Sequence, residues 1–213
     1  MIEVITAHNR TQYMPSLKSF LELRHRVFVQ RLGWALQSKS PIDGLELDEF
    51  DDDEAVYMVV PDINGKVIAG LRLLPTTGRY LLASHFSSFV EGPLPRDPGV
   101  FEISRFVVDP RCDDQVDGGD VVKELIWGLQ SYGRAARLSR YVSLSYIGIE
   151  RLVRASGCCF RRLGRPQEID GRKAVAIQFD IGPQIQNPCQ STLANLGHAS
   201  GRISDRATVR LAA

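Results

Sequence analysis

Val100-Phe101-Glu102-Ile103-Ser104-Arg105-Phe106-Val107-Val108-Asp109 is the stretch that decides the fold. Its β-branched and aromatic residues make a strong strand. A period of two places Glu102, Ser104, Phe106 and Val108 on one face, and Phe101, Ile103, Arg105 and Val107 on the other. Each face is apolar apart from one ionisable group, so both faces are expected to be covered. Outward toward the C-terminus, a helix is predicted over about 119–137, then a strand over 141–147 and a short helix near 149–155. Two last strands follow near 159–163 and 173–181.

Outward toward the N-terminus, residues 55–60 and 66–74 are apolar, β-rich runs joined by Asp62-Ile63-Asn64-Gly65, the signature of a hairpin. A short helix is predicted within 80–90. Between about 16 and 34, Leu17, Phe20, Leu21, Val27, Phe28 and Leu32 recur at helical spacing, and residues 2–7 form a plausible first strand. Strands alternating with helices, plus hairpins, imply an α/β fold: a mixed sheet with helices on both faces. Residues 1–182 are read as one domain. Residues 183–213 turn polar without a sustained period and are read as a tail.

Composition narrows the partners. Hydrophobic residues make up 44% of the 213, enough for a sizeable core, and a formal net charge of +1 gives no global field for nucleic acid or an anionic membrane. Cys112, Cys158, Cys159 and Cys189 form no CxxC pair, and four histidines are scattered, so no metal site is expected. The first residues, MIEVITAHNR, carry an early acid and no apolar core, so a signal peptide is not expected. No apolar run reaches the roughly 20 residues of a membrane span. These features together lead to an expected cytoplasmic location.

The chemistry begins with Arg24, which lies between Phe20 and Phe28 on the core-facing stripe of the first helix. A guanidinium cannot shed its charge, so burial demands a carboxylate, a ligand anion, or both. The run Glu46-Leu47-Asp48-Glu49-Phe50-Asp51-Asp52-Asp53-Glu54 offers acids. Such runs are usually solvated loops, but Leu45, Leu47 and Phe50 anchor this one and allow some acids to turn inward. Arg72 lies among Ile68, Leu71, Leu73 and Leu74. Glu102, on its apolar strand face, is either neutralised by a cation from elsewhere in the chain or has a raised pKa that suits a general base. Trp34 is either core or a stacking surface for a base or sulfonium.

These residues resemble one family, the LuxI-type acyl-homoserine lactone synthases. The resemblance runs through Arg24, Phe28 and Gly33-Trp34, then Glu46-Leu47-Asp48 with Asp51 and Tyr57. It continues through Gly70-Leu71-Arg72-Leu73-Leu74-Pro75-Thr76-Thr77-Gly78 to Phe86, and through Phe101-Glu102-Ile103-Ser104-Arg105-Phe106. It implies a three-layer fold like that of GCN5-related N-acyltransferases, with a V-shaped cleft in the sheet. It also implies two substrates, S-adenosyl-L-methionine and an acyl thioester carried by acyl carrier protein, with no cofactor.

Under that resemblance, Arg24 and Arg105 fix the substrate carboxylate or the acids around it. Glu46, Asp48 and Asp51 face the ammonium and sulfonium, with Arg72 among them. Glu102 takes the amine proton, a backbone N–H near Phe106 polarises the thioester, and Phe28, Trp34 and Phe86 wall the pocket. Ser104 belongs to the same block, and Ser143 or Ser145 meets the acyl chain. The loop Gln115-Val116-Asp117-Gly118-Gly119-Asp120, preceded by Asp113 and Asp114, is a poor pyrophosphate cradle. That favours a carrier protein over coenzyme A, and Arg151, Arg154, Arg161, Arg162 and Arg165 form either its dock or a solvated surface. An acyl-coenzyme A N-acyltransferase and a non-catalytic S-adenosylmethionine-binding relative are the competing readings.

Overall fold

A computed structural model describes residues 1–34, 42–111, 118–155 and 160–181. The readings placed on the four cysteines, on residues 113–117 and on the polar tail fall outside them. Eight strands form one mixed sheet in the order β1-β2-β3-β4-β5-β8-β6, with β7 paired to β8. The strands are β1 (Glu3–Ile5), β2 (Val56–Pro61), β3 (Val67–Pro75), β4 (Val100–Val108), β5 (Arg140–Tyr146), β6 (Phe160–Arg162), β7 (Gln167–Ile169) and β8 (Arg172–Asp180).

Helices cover both faces, as the alternation implied. On one face lies α1 (Met14–Arg24), started by a proline in its first turn; it buries Leu17, Phe20, Leu21, Leu23 and Arg24. Gly70 on β3 lets α1 settle close, because a Cβ there would stand 2.7 Å from Phe20 Cε2. On the other face, α3 (Gly118–Ala135) packs Val121, Leu125 and Leu129 against Met58, Leu71, Leu73 and Ile103, with Val153 of α4 (Ile147–Ala155) in the same core.

Three departures from simple periodicity shape the molecule. The first helix does not continue as an α-helix to Trp34: after Arg24 it widens into a π-helical stretch, His25–Arg31, closed by Leu32 N donating to Val27 O at 3.0 Å. The predicted helix within 80–90 divides into α2 (Leu81–His85) and a 3₁₀ turn, Ser87–Phe89. β7 has no counterpart in the sequence reading. Its signal was the dipeptide Asp170-Gly171, whose φ values of +49° and +73° make the tight turn into β8.

β4 carries the main correction. Its register against β3 passes from Arg72↔Ser104 to Gly70↔Val107, so Leu71 alone stands opposite Arg105 and Phe106. This is a β-bulge, with Arg105 at φ +52°. The extra residue resets the alternation. Arg105 therefore joins Glu102 and Ser104 on the α1 face, while Phe106 joins Phe101 and Ile103 on the α3 face. Strict period two had separated Glu102 from Arg105.

β4 and β5 run parallel, joined through α3, but pair only from Val100↔Arg140 to Glu102↔Val142. β4 continues to Val108 and β5 to Tyr146 without further pairing, so the two strands splay apart. The sheet is split at that point into the expected V-shaped cleft.

Candidate active site

A buried ion network sits where α1, the acidic segment and the β3–β4 bulge converge. Arg24 is 0% exposed. Its Nε donates to Glu46 Oε2 at 2.5 Å, and its two terminal nitrogens donate to Asp51 Oδ1 and Oδ2 at 2.8 Å each. Arg72, also fully buried, donates to Ser104 Oγ at 3.1 Å and to both Asp48 oxygens at 2.5 and 3.0 Å. Arg105 closes the network, meeting Glu46 at 3.1 Å and Asp48 at 2.7 Å. Three guanidinium groups thus balance three carboxylates, which removes most of the penalty for burying either set.

The acidic segment is shaped for this role. Leu45 and Phe50 are buried, and Asp51 Oδ2 accepts the Asp48 backbone N–H at 2.8 Å, so the chain turns its acids inward. Asp52 and Asp53 turn outward, where Arg10 donates to the Asp53 carboxylate and to the Asp52 backbone carbonyl. Burial by itself would raise the Asp51 carboxyl; the charge and hydrogen bonds of Arg24, then the charge of Arg72, override it and hold it below the ordinary range. Tyr57 donates to Asp51 Oδ1 at 3.0 Å, and its phenol is pushed upward by burial.

Beside the network opens a cavity of about 980 Å³. Of the residues singled out in the sequence, Phe28, Trp34, Asp48, Phe86, Ser104, Arg105, Phe106 and Ser143 line it. Arg24, Glu46, Asp51 and Arg72 stand behind its wall. Asp48, 14% exposed at its side chain, and Arg105, 7%, are the charged members that reach from the network to the cavity. Phe28 stacks on Trp34 at 4.8 Å with 6° between planes, Tyr146 meets Trp34 edge-on, and Arg105 lies over the Phe28 ring. The π-helical stretch brings Phe28 and Trp34 together.

Glu102, expected as the general base, does not line the cavity itself. It is 1% exposed, and its two oxygens accept the backbone N–H groups of Leu81 and Leu82, both at 2.7 Å. It ties the start of α2 to β4 from behind the cavity wall. Burial nevertheless pushes its carboxyl up to about 7, against those hydrogen bonds and the charges of Arg72 and Arg105. Ser143 sits in the cleft, donating to Ile103 O at 2.9 Å, with Ser145 Oγ 3.2 Å away.

Residues the sequence reading missed also line the cavity: Glu49, His85, Asp170, Arg172 and Tyr146 among them. Glu49 meets His85 at 2.9 Å and also Arg79, and those hydrogen bonds, His85 first, lower its carboxyl. The Asp170-Gly171 turn was the available signal for the cavity's far wall. The basic set is partly neutralised: Arg162 pairs with Glu150 and Arg165 with Glu91, while Arg161 donates to the uncharged amide of Gln178. The side chains of Arg151 and Arg154 lie outside the described residues.

A cleft in a split sheet, walled by paired aromatics and a balanced arginine–carboxylate network, matches one family along most of the chain. The model described as autoinducer synthase spans residues 8–187. The chain belongs to the autoinducer synthase family. The acyl-homoserine-lactone synthase of Acinetobacter nosocomialis is 36% identical over 168 residues, covering 76% of this chain and 90% of that protein. Among solved structures, BjaI, a CoA-dependent acyl-homoserine lactone synthase bound to SAM and isopentyl-CoA, superposes with a TM-score of 0.79. That match has 27% identity over 92% of this chain and 89% of that one. A putative N-acetyltransferase from Lactobacillus plantarum, at 17% identity and a TM-score of 0.55 over 85% of this chain and 99% of that one, shares the fold alone. The synthase therefore has the acyltransferase-like architecture implied by its sequence, and the balanced network is built on that framework.

Proposed function

We propose that the chain makes an N-acyl-L-homoserine lactone from S-adenosyl-L-methionine and an acyl thioester. The observation that carries the reading is the pairing, on one cavity wall, of Asp48 and Arg105 beside the Phe28–Trp34 stack. S-adenosylmethionine brings an ammonium, a carboxylate and a sulfonium. Asp48 suits the ammonium and Arg105 the carboxylate, while the aromatic pair takes the sulfonium and nucleoside. Arg24, Glu46, Asp51 and Arg72 act one step back, holding those two side chains in place.

The acyl thioester enters the split between β4 and β5, where its carbonyl meets strand N–H groups near Phe106. The free amine attacks that carbonyl, the C–S bond breaks, and the carrier leaves as its thiol with one nitrogen proton; the other proton is given up beforehand, as the ammonium becomes the attacking amine. Glu102 receives that proton through a water, its carboxyl poised near neutral pH. The substrate carboxylate oxygen then displaces methylthioadenosine at the γ-carbon, closing the lactone. The acyl tail continues into a second, apolar cavity of about 60 Å³ that shares Ile103, Phe106, Ser143, Ser145 and Ile149 with the first.

For the donor we favour acyl carrier protein, on the acids Asp113, Asp114 and Asp117, which would repel a pyrophosphate. The likeness to the CoA-dependent BjaI supports coenzyme A as the second reading. A cytoplasmic location is proposed with either donor, since both substrates are intracellular. Purified protein given S-adenosylmethionine and an acyl thioester of each carrier tests the whole reading by mass spectrometry. Lactone with methylthioadenosine supports it; acylated product without methylthioadenosine supports a plain N-acyltransferase, and no consumption supports a binding protein.

A further inference from the structure

The β7–β8 hairpin carries two charged side chains on the wall of the large cavity that the proposed chemistry leaves unused, Asp170 and Arg172. They flank Gly171, and both are exposed. The other charged side chains on the cavity are committed: Asp48 and Arg105 to the ion network, Glu49 and His85 to one another. Neither Asp170 nor Arg172 forms a side-chain ion pair or hydrogen bond with any described residue. Arg172 is instead held over the Tyr146 ring, 5.6 Å from its centroid, and Tyr146 meets Trp34 edge-on at 6.3 Å. An aromatic run thus leads from Phe28 and Trp34 through Tyr146 to a guanidinium with a carboxylate two residues away.

We infer that Asp170 and Arg172 are specificity-determining residues that read the edge of the adenine ring. The inference rests on the proposed function, which places the nucleoside at the Phe28–Trp34 stack. On either edge that adenine can present, the amino donor N6–H2 lies beside a ring-nitrogen acceptor, N1 or N7. An ionised carboxylate only accepts and a guanidinium only donates, so Asp170 takes the amino group and Arg172 the ring nitrogen. A phosphate of the acyl donor fits the pair less well, because the Asp170 carboxylate beside Arg172 would repel it. A base with a carbonyl in place of the amino group sets two acceptors against each other, its own oxygen and Asp170, and the site rejects it.

Calorimetric titration of the full chain with 5′-methylthioadenosine and with 5′-methylthioinosine, which carries a carbonyl at position 6, tests this. Methylthioadenosine is expected to bind about tenfold or more tightly. Asp170→Asn offers an amide N–H2 to that carbonyl and should narrow the gap to about threefold or less; asparagine also tolerates the left-handed backbone of this turn, φ +49°. Arg172→Gln should weaken methylthioadenosine binding severalfold and leave the KM for the acyl thioester unchanged. Equal binding of the two nucleosides by the unaltered protein overturns the inference, and that result needs no variant to fold. A gap that Asp170→Asn does not move overturns the role of Asp170. An Arg172→Gln effect confined to the thioester KM gives that residue to the donor's phosphate instead. Lactone formation alongside equal nucleoside binding leaves the proposed function standing, whereas failure of both nucleosides to bind overturns that function and this inference together.

Discussion

Both terminal nitrogens of Arg24 donate to Asp51, one to each carboxylate oxygen at 2.8 Å, inside a core that water does not reach. The third donor, Nε, is committed to Glu46. Arg24 therefore spends one N–H of each of its three nitrogens on protein carboxylates and, fully buried, shows no surface to a substrate.

Lysine at this position should fail. Arg24→Lys keeps the charge but cannot meet Glu46 and Asp51 together, so a loss of about 3 kcal/mol or more in unfolding free energy is expected. Urea denaturation followed by circular dichroism measures it. A loss within experimental error would mean that the network is not what holds the acidic segment down.

Asp48 and Asp51 should separate binding from stability. Asp48→Asn, at the cavity wall, is expected to weaken S-adenosylmethionine binding by roughly tenfold or more, while Asp51→Asn mainly lowers the melting temperature. Calorimetry and thermal scans on both variants check the split. Equal affinity losses in the two would remove Asp48 from direct contact with the ammonium.

Glu102 should leave a pH signature in both stability and rate. Burial raises its folded pKa to about 7 from an ordinary value of 4.5. Its contribution is therefore fully present below about pH 4.5 and is lost as pH rises through 7. Glu102→Gln should lack this downward trend between pH 4.5 and 7, and the rise of kcat/KM near pH 7 should vanish with it. Asp51 has the opposite sign: held below the ordinary range, it stabilises above about pH 4 and loses that contribution on further acidification. A Glu102→Gln profile parallel to the parent's would remove Glu102 from both titrations.

Trp34 should report on the proposed nucleoside pocket. The chain has two tryptophans, Trp34 and Trp127, so Trp127→Phe leaves only the cavity's indole. Its emission is expected to change on adding methylthioadenosine, whereas Trp34→Phe should show no response. An unchanged signal in Trp127→Phe would place the nucleoside elsewhere.

If the acyl chain lies along β5 as proposed, Ser143 should constrain its third carbon. Its one O–H is spent on Ile103 O, and Ser145 then donates to Ser143, so neither hydroxyl is left to donate to a keto oxygen. A 3-oxo donor should be used roughly tenfold less well than the unsubstituted one. Ser143→Ala frees Ser145 and should narrow the gap. Efficient use of 3-oxo donors by the parent protein would show that the hydroxyls reorient.

Much of this molecule can be read along the chain. Residue type and period are local properties, so the order of the longer strands and helices, the covered strand at 100–108 and the buried arginines follow from the sequence alone, while the three-residue β7 does not. So does the need for carboxylates near Arg24, since a permanent charge in an apolar stripe has few other solutions. Which carboxylates, and which side chains face a ligand, depend on pairing between segments far apart in the chain. One extra residue in β4 opposite Leu71 moves Arg105 to the face of Glu102, and no local period reveals where such a bulge falls. The parting of β4 from β5 after Glu102 and Val142 likewise belongs to the assembled sheet. That non-local geometry leaves Arg24 and Glu102 behind the wall and brings Asp48 and Arg105 to the cavity.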